Sequence, residues 1–192
     1  YKREVMVMGQ NALAFDFGAS SGRAILGSFD GGKITLAEAH RFDNNPVMVR
    51  GTYYWDTLNL FYEIKQGLCK AWQMAPFSSL AVDTWGVDFG LLDKHGALLQ
   101  NPVHYRDART VGLVPEVEAK LPGKGLYPRT GIQIMELNTV FQLYALAKNR
   151  PDLLEQADCA LLTPDLFGYF LTGEKTAEFA IASTTQLMDP YT

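Results

Sequence analysis

An acidic residue and a turn of small residues lie near the start of the chain. The stretch FDFGASSGRAIL spans residues 15–26, where one apolar run ends at Asp16 and a second follows Arg23. The turn between them consists of Gly18, Ala19, Ser20, Ser21 and Gly22. Small residues let the backbone approach an anion, so these amides and hydroxyls can point at phosphate oxygens. Asp16 can hold Mg²⁺ through water, and Arg23 adds a fork of hydrogen-bond donors.

Two better-known phosphate loops do not explain this turn. A Walker A loop ends in Gly-Lys-Ser/Thr before a helix, and the dinucleotide fingerprint also precedes a helix, whereas a strand-like run follows here. A plain β-hairpin with Asp16 as a turn residue accounts for the same pattern, so both interpretations stay open. Ser20 and Ser21 have no local His–Asp arrangement, and nucleophilic hydrolysis is therefore unsupported.

A polar cluster in the middle of the chain suits a sugar. In AVDTWGVDFGLLD, residues 81–93, Asp83 ends a strand, Trp85 and Gly86 form a turn and Asp88 opens the next strand. Carboxylates accept hydrogen bonds from sugar hydroxyls, and an aromatic face can cover the C–H side of a sugar ring. An acidic hairpin is the competing interpretation.

A third cluster, YRDARTVG at 105–112, places Arg106, Asp107 and Arg109 at the start of a helical stretch. An acid in the first turn is also a favourable partner for the helix dipole, so capping explains Asp107 equally well. No metal-ligand spacing relates the three histidines, and we expect a structural role for His40, His95 and His104.

Composition and charge exclude several classes of protein. The formal net charge is -4 and no long Lys/Arg run is present, which argues against a nucleic-acid or anionic-membrane partner. The apolar runs are too short to span a bilayer. We interpret the first residues as a lead-in to a strand and expect a cytoplasmic protein. Cys69 and Cys159 form no metal or disulfide framework, and we expect two buried thiols.

Hydrophobic patterning in the first third predicts strands at 13–17, 23–29 and 33–41, joined by short Gly-rich turns as an antiparallel meander. Residues 44–51 are expected to form a loop. A helix follows from the plausible N-cap Asp56 to Pro76. Its predicted buried stripe consists of Phe61, Ile64, Leu68 and Trp72.

Helices and strands alternate in the remainder of the chain. We expect a strand, a turn and a strand within 78–96, a helix over 107–120 that ends before Pro122, and a helix over 137–148. A strand at 158–163 leads into a helix that Thr163 caps, Pro164 opens and Gly173 ends. This order predicts α/β layers around a mixed sheet and leaves the topology open.

Together these stretches resemble the sugar kinase family that includes glycerol kinase and xylulokinase, and within it the rhamnulokinases. The matching segments are GASSGR with Asp16 before it, DTWGVDFGLLD (83–93), YRDART (105–110), GIQ (131–133), NT (138–139), LLTPDLFGYFLTG (161–173) and ASTTQL (182–187). The first is moderately specific, whereas DTWGVDF and ASTTQL are far more specific to rhamnulokinases. Phe17 stands where leucine is commoner, a conservative difference.

The resemblance implies an actin-like ATPase fold of two ribonuclease-H-like domains with a cleft between them, of which residues 1–192 match the N-terminal one. It implies ATP phosphate binding by Ala19, Ser20, Ser21, Gly22 and Arg23. It also implies that Asp16 lies near Mg²⁺ and that Gly86 contacts the sugar. Asp88, Arg106 and Asp107 are further candidates for the sugar side.

The resemblance further implies that the catalytic aspartate and most of the adenine pocket belong to the second domain, which this chain does not contain. A positioned general base supplies roughly 10²–10⁴ in rate, so we expect these residues alone to be inactive. The implied reaction of the full-length protein is the MgATP-dependent phosphorylation of L-rhamnulose to L-rhamnulose 1-phosphate. Another acceptor (L-fuculose, D-xylulose or glycerol), a non-catalytic sugar-binding module and a polyphosphate hydrolase remain alternatives.

Overall fold

The computed structural model describes residues 10–121 and 125–190. The predicted lead-in at 1–9 and the helix end at Pro122 lie outside the described residues. The strands are β1 Gln10–Phe17, β2 Ser21–Phe29, β3 Ile34–Asp43, β4 Val47–Val49, β5 Thr52–Tyr54, β6 Ser79–Asp83, β7 Phe89–Leu92 and β8 Cys159–Leu162. The helices are α1 Thr57–Met74, α2 Val114–Glu118, α3 Tyr127–Thr130, α4 Thr139–Asn149, α5 Pro151–Gln156, α6 Thr163–Thr172 and α7 Phe179–Ser183.

The described residues form two compact units. The first comprises 10–45 and 58–84, and the second comprises 46–57 and 85–190 without 122–124. The sequence shows no linker that would predict this division. No helix in the described ranges is long and apolar enough to cross a membrane.

The first unit is a four-stranded mixed sheet in the order β3-β2-β1-β6 with α1 packed against it. β1 pairs with β2, and β2 with β3, in antiparallel register, which confirms the predicted meander. β6 then adds to β1 in parallel. Alternation along β1 buries Leu13, Phe15 and Phe17 in the core, because successive side chains of a strand point to opposite faces.

The buried face of α1 differs from the predicted stripe. Leu60, Ile64, Gly67 and Ala71 are buried, at spacings of four, three and four residues. Of the predicted stripe, Trp72 is wrong, since it is 56% exposed. Two apolar rows compete in this helix, and the row with the smaller residues faces the sheet. The reason is close packing: the ring of Phe15 already fills the space that a Cβ at position 67 would need.

Three expectations about connecting segments are wrong in part. Residues 44–51 contain β4, which forms a hairpin with β5 through Arg50 and Gly51, both at positive φ as a tight hairpin turn requires. β6 and β7 do not form one hairpin, because β7 pairs with β8. The helix expected over 107–120 is a 3₁₀ turn at Ala108–Thr110 followed by α2, with Gly112 at a φ of 78° between them.

The second unit packs α4, α5 and α6 around the β7–β8 ribbon. The helix predicted over 137–148 is α4, Thr139–Asn149, and Pro151 then opens α5, since proline is well suited to the first helical turn. α6 ends at Gly173 in the left-handed conformation, also as predicted. Thr163 is not its cap, because the N-cap is Leu162, and the Thr163 hydroxyl instead donates to the carbonyl of Asp88 at 3.2 Å.

The two cysteines are less buried than expected. Cys69 is exposed on α1 and Cys159 is partly exposed at the start of β8, and both are free thiols. The expectation of two buried thiols is therefore wrong. Cys69 lies on the solvent side of α1, two residues beyond the buried position Gly67, which a helical period places off the core face.

The close approach at Gly67 makes a test of the first unit. A Cβ there would lie 2.6 Å from Cε1 of Phe15 and 3.0 Å from Cβ of Ala24. We expect Gly67→Ala to lower the free energy of unfolding by about 1–3 kcal/mol through overpacking, despite the better helix propensity of alanine. Urea unfolding followed by circular dichroism measures this.

Gly168 in α6 is the matched control, because a Cβ at that helical position meets nothing within 4 Å. Gly168→Ala should raise the free energy of unfolding by about 0.5–1 kcal/mol through helix propensity alone. If Gly67→Ala were as stable as the unaltered protein, the packing account of α1 would be wrong.

Candidate functional site

The turn between β1 and β2 is the candidate phosphate loop of the first unit. The amide of Gly18 donates to the carbonyl of Ser21 at 2.8 Å, which closes the turn. Ala19 and Ser20 are exposed at its tip. Among the described residues no acceptor is found for the amides of Ala19 and Ser20. Two free amides on adjacent exposed residues form the kind of donor pair that binds a phosphate oxygen.

Asn44, which is not among the site residues predicted from the sequence, holds this turn in place. Its amide donates to the carbonyl of Ser20 at 3.0 Å, and its side-chain nitrogen donates to the carbonyl of Gly18 at 2.9 Å. Asn44 is 2% exposed, so both bonds lie in the protein interior. Asn44 therefore fixes two of the turn's carbonyls, while the exposed residues Ala19 and Ser20 keep amides without an acceptor among the described residues. The sequence signal was weak, since Asn44 reads as an ordinary loop residue before Pro46.

Gly22 is required by close packing of its neighbour. A Cβ at this position would overlap the ring of Phe42 on β3, which pairs with Gly22 across the sheet. The glycine therefore lets β2 and β3 keep their register directly beside the turn. Its part in the candidate site is to shape the backbone rather than to present a side chain.

Asp16 and Arg23 face each other across β1 and β2. Arg23 Nη2 lies 2.7 Å and Nε 3.0 Å from Asp16 Oδ2, and each side chain is about half exposed, at 47%. Asp83 lies in register with Asp16 on the neighbouring parallel strand β6 and is exposed. Strands in register place these two acids side by side at one edge of the sheet.

These carboxylates fit a magnesium ion that arrives with a nucleotide. Mg²⁺ usually binds through one or two carboxylates together with substrate phosphates and waters, rather than in an all-protein cage. No group of three or more candidate metal ligands occurs within residues 10–121 and 125–190. Asp16, the half-exposed acid beside the turn, and the neighbouring Asp83 are two carboxylates of the kind that such an ion uses.

A cavity of about 340 Å³ is the candidate sugar site of the second unit. It is lined by Trp85, Gly86, Val87, Tyr105, Ile132, Met135, Leu137, Asn138 and Thr184. Gly86 lies against Thr184 so closely that an added Cβ would fall 2.7 Å from Oγ1 of the threonine. Thr184 therefore fills the space that a side chain at position 86 would need, and Gly86 itself lines the cavity with main-chain atoms alone.

The backbone beside Gly86 is strained. Val87 has a φ of 65°, and the amide of Asp88 donates to the carbonyl of Gly86 at 2.8 Å, which together describe a γ-turn centred on Val87. A β-branched residue at positive φ is a genuine outlier and costs of order 1–3 kcal/mol. Such strain persists where the surroundings impose it and clusters at functional sites.

Threonine and glutamine side chains impose that turn from both sides. The amide of Val87 donates to Thr184 Oγ1 at 3.1 Å. The Val87 carbonyl accepts from Thr139 Oγ1 at 2.7 Å and from Gln142 Nε2 at 3.3 Å. Thr139 and Thr184 lie in the segments NT (138–139) and ASTTQL (182–187), which carry the family resemblance but had no predicted role. Their role is to hold the peptide that forms the cavity wall.

Gln186 fixes the opposite wall of the cavity. Its Nε2 donates to the carbonyl of Ile132 at 2.8 Å, and its Oε1 accepts from Asn138 Nδ2 at 2.9 Å. Asn138 Nδ2 also donates to the carbonyl of Gln133 at 2.9 Å. Both amides are buried, so interior hydrogen bonds tie the loop 131–138 to Gln186, three residues after the end of α7. The sequence carries no local sign of this, because the partners are about fifty residues apart.

Asp88 takes a different role from the expected sugar contact. It is fully buried, and its Oδ2 accepts from Trp55 Nε1 at 2.6 Å, Trp85 Nε1 at 3.1 Å and the amide of Tyr105 at 3.1 Å. Its Oδ1 accepts from Gln142 Nε2 at 2.9 Å. Both oxygens are engaged inside the protein, so Asp88 positions Trp85 and Tyr105 instead of meeting a hydroxyl. Burial raises the pKa of Asp88 to about 6, against the lowering effect of these donors.

Arg106 and Asp107, at the start of the 3₁₀ turn, differ in exposure and in their contacts. Asp107 is buried, and its carboxylate accepts from the amides of Tyr53 at 2.8 Å and Arg109 at 3.0 Å, so it caps the turn and fastens β5. Arg106 is exposed, with its guanidinium 5.3 Å from the centroid of the Tyr105 ring. Neither is among the described residues that line the cavity. Of the two, only Arg106 keeps its side chain available to a ligand.

His104 is structural, as expected. It is buried between aromatic rings, with centroid distances of 4.0 Å to Trp55 and 4.7 Å to Tyr53. Its Nδ1 accepts a hydrogen bond from the amide of Arg106 at 2.9 Å, which requires that Nδ1 carry no proton. Burial, followed by the charge of Arg106, lowers the pKa of His104 to about 4.

The buried carboxylate predicts a pH dependence of stability. Because folding raises the pKa of Asp88 from 3.8 to about 6, the native state binds this proton more tightly than the unfolded chain. Asp88 should therefore contribute stability below pH 4 that is lost as the pH rises through 6, by about 3 kcal/mol. Asp88→Asn cannot titrate, so its free energy of unfolding relative to the unaltered protein should rise over this range. Urea titrations at several pH values from 4 to 7 measure it.

His104 is a control of opposite sign in the same pH range. Folding lowers its pKa, so its contribution to stability should be lost as the pH falls from 6.5 toward 4. The difference curve of His104→Gln should therefore slope opposite to that of Asp88→Asn. A flat difference curve for Asp88→Asn would contradict the assignment of a raised pKa to this carboxyl.

Solved structures share this fold. Gluconate kinase from Lactobacillus acidophilus superposes with a TM-score of 0.83 at 15% identity, over 94% of this chain and 37% of that one. Plasmodium falciparum glycerol kinase with ADP gives a TM-score of 0.73 at 19% identity, over 96% and 38%. These likenesses confirm the predicted α/β actin-like ATPase class with its mixed sheet.

Curated relatives match the sequence itself. The chain is 46% identical over 183 residues to a rhamnulokinase of Halalkalibacterium halodurans, covering 94% of the chain and 39% of that protein. It is 45% identical over 186 residues to a rhamnulokinase of Bacteroides thetaiotaomicron, covering 96% and 38%. The chain thus spans under two-fifths of the length of these relatives. Residues 11–192 match the N-terminal domain of the FGGY family of carbohydrate kinases, and the chain belongs to that family.

Proposed function

We propose that the full-length protein is an ATP-dependent rhamnulokinase, which transfers a phosphoryl group from MgATP to L-rhamnulose and forms L-rhamnulose 1-phosphate. The observation that carries the proposal is the identity of 42–46% to several rhamnulokinases over nearly the whole chain. In this proposal residues 1–192 are the N-terminal domain, and a C-terminal domain completes the enzyme. We also propose a cytoplasmic location, where ATP would be available as the phosphoryl donor.

The first unit supplies the contacts to the phosphates in this proposal. The free amides of Ala19 and Ser20, with the hydroxyls of Ser20 and Ser21, would bind phosphate oxygens of the nucleotide. Arg23 would add a positive charge beside the phosphates, with its guanidinium contacting both Asp16 and the ligand. The half-exposed carboxylate of Asp16 would hold the magnesium ion that accompanies ATP. The hydrogen bonds from Asn44 to two carbonyls of the turn and the exposure of Ala19 and Ser20 support this assignment.

The second unit supplies the sugar site. The bare backbone at Gly86 lets the acceptor lie close to the strained turn, and Trp85 and Tyr105 provide aromatic surface beside it. Arg106, exposed and stacked on Tyr105, is the nearby charged side chain able to reach a ligand. Asp88 and Asp107 act from behind the wall as positioning residues. The acceptor is thereby oriented by shape and backbone rather than by a surface carboxylate.

The reaction needs a base that this chain does not supply in our proposal. Phosphoryl transfer depends chiefly on positioning the acceptor oxygen in line with the terminal phosphorus and on stabilising charge on the phosphoryl oxygens. The hydroxyl proton must pass to a base as the new O–P bond forms. We assign that role to an aspartate of the C-terminal domain, which would add roughly 10²–10⁴ in rate.

The substrate assignment is tested by ADP release from the full-length protein. L-Rhamnulose, L-fuculose, D-xylulose and glycerol are compared as acceptors, with the 192-residue chain as a parallel sample. We expect strong preference for L-rhamnulose and no turnover by the short chain. Preference for another acceptor would be consistent with a sugar kinase and would refute L-rhamnulose as the substrate. Turnover by the short chain would place the base among residues described above as structural, and sugar binding without any ADP release would favour a non-catalytic module.

The role of Asp16 is tested by Asp16→Asn in the full-length protein. Turnover with MgATP should fall at least 10²-fold while the free energy of unfolding changes by less than about 1 kcal/mol, as for an exposed ion pair. Glu38→Gln is the matched control, since Glu38 forms a comparably exposed pair with Arg41 on the same sheet. Unchanged activity of Asp16→Asn, or an equal loss in Glu38→Gln, would remove Asp16 from the site.

A further inference from the structure

We infer that the cavity beside Gly86 is a subsite for the methyl group at C6 of a 6-deoxyketose, and that Ile132 and Met135 set the preference for a methyl over a hydroxymethyl group there. The inference rests on the proposed function and deepens it. It concerns which part of the acceptor this cavity receives and why a deoxy sugar is favoured.

The first support is the apolar lining of the cavity. Six of its nine lining residues present apolar or aromatic side chains, namely Trp85, Val87, Tyr105, Ile132, Met135 and Leu137. Met135 is 39% exposed in the chain and Ile132 is partly exposed, so apolar surface remains open toward the cavity space. Concave apolar surface of this kind gains by covering an apolar group of a ligand.

The second support is that the polar side chains in the wall are already engaged. Thr184 Oγ1 accepts from the amide of Val87 at 3.1 Å and donates to the carbonyl of Ile181 at 2.7 Å. Asn138 Nδ2 donates its two hydrogens to the carbonyl of Gln133 and to Oε1 of Gln186. A hydroxyl entering beside these groups would find their donors committed to the fold. The wall therefore presents an apolar face although polar residues contribute to it.

The third support is that the wall is fixed before a ligand binds. Gln186 ties the carbonyl of Ile132, and the γ-turn at Val87 is held from both sides by Thr139 and Thr184. A preformed wall can discriminate by size and polarity because it does not rearrange to offer a new partner. The strain at Val87 thus has a use, namely to keep the side of the cavity next to Gly86 in one shape.

The expected discrimination follows from desolvation. A hydroxyl on C6 that lies against Ile132 and Met135 would give up hydrogen bonds to water without gaining a partner from these two side chains, whereas a methyl group there gains from burial. Apolar pockets distinguish ligands that differ by one such group by roughly 10–200-fold in kcat/KM. We expect a preference of roughly 10–100-fold for the deoxy sugar.

The test uses the full-length protein with MgATP and compares L-rhamnulose with L-fructose, which differs only by a hydroxyl on C6. The wild type should show the preference above in kcat/KM. Met135→Gln, similar in length but polar, should lower the ratio by roughly tenfold through a loss on L-rhamnulose, and Ile132→Thr should do the same. Met48→Gln is the matched control, because Met48 is 60% exposed on β4 and does not line this cavity, and its ratio should not change.

The outcomes separate the two proposals. Comparable kcat/KM for both ketoses in the wild type would overturn the methyl subsite while leaving the kinase proposal intact. An unchanged ratio in both Met135→Gln and Ile132→Thr would likewise overturn the role of these residues. Failure to phosphorylate either ketose, with activity on an unrelated acceptor, would refute the proposed function and this inference with it. Two variants are used so that a folding defect in one does not decide the result.

Discussion

The second unit is organised around one buried carboxylate. Asp88 lies fully inside the protein, where an unpaired charge would cost several kcal/mol, so its oxygens must meet donors. Those donors are the indoles of Trp55 and Trp85, the amide of Tyr105 and the side chain of Gln142. They come from four separate segments of the chain. Satisfying Asp88 therefore brings these segments together and sets the orientation of the aromatic rings at the cavity.

The same requirement explains why the cavity is apolar. Polar side chains near Gly86 form hydrogen bonds with the backbone. Thr139 and Thr184 hold the strained turn at Val87, and Gln186 holds the loop that carries Ile132. Each interior hydrogen bond avoids the cost of an unsatisfied buried group. What remains to face a ligand is apolar side chain and bare backbone. Specificity at such a site comes from shape and desolvation more than from added polar contacts.

The first unit follows a different principle. Its sheet is packed closely enough that glycines at 22 and 67 are required where rings of Phe42 and Phe15 approach. This dense core holds β1 and β2, while their connecting turn stays exposed and is fixed by the Gly18–Ser21 hydrogen bond and by Asn44. A rigid scaffold with an exposed, backbone-defined turn is well suited to binding an anion, because little conformational entropy remains to be lost on binding.

The sequence by itself determined the meander, α4, β8, α6 with its glycine end, and the turn of small residues after Asp16, because these depend on spacings and residue types within a few positions of one another. It misplaced Trp72 inside and Asp88 at a ligand surface, and it offered no role for Asn44 or Gln186. Those features rest on partners far along the chain: Trp55 and Gln142 lie 33 and 54 residues from Asp88. Burial, and with it the pKa of a carboxyl and the polarity of a cavity, depends on which distant groups the tertiary structure brings together.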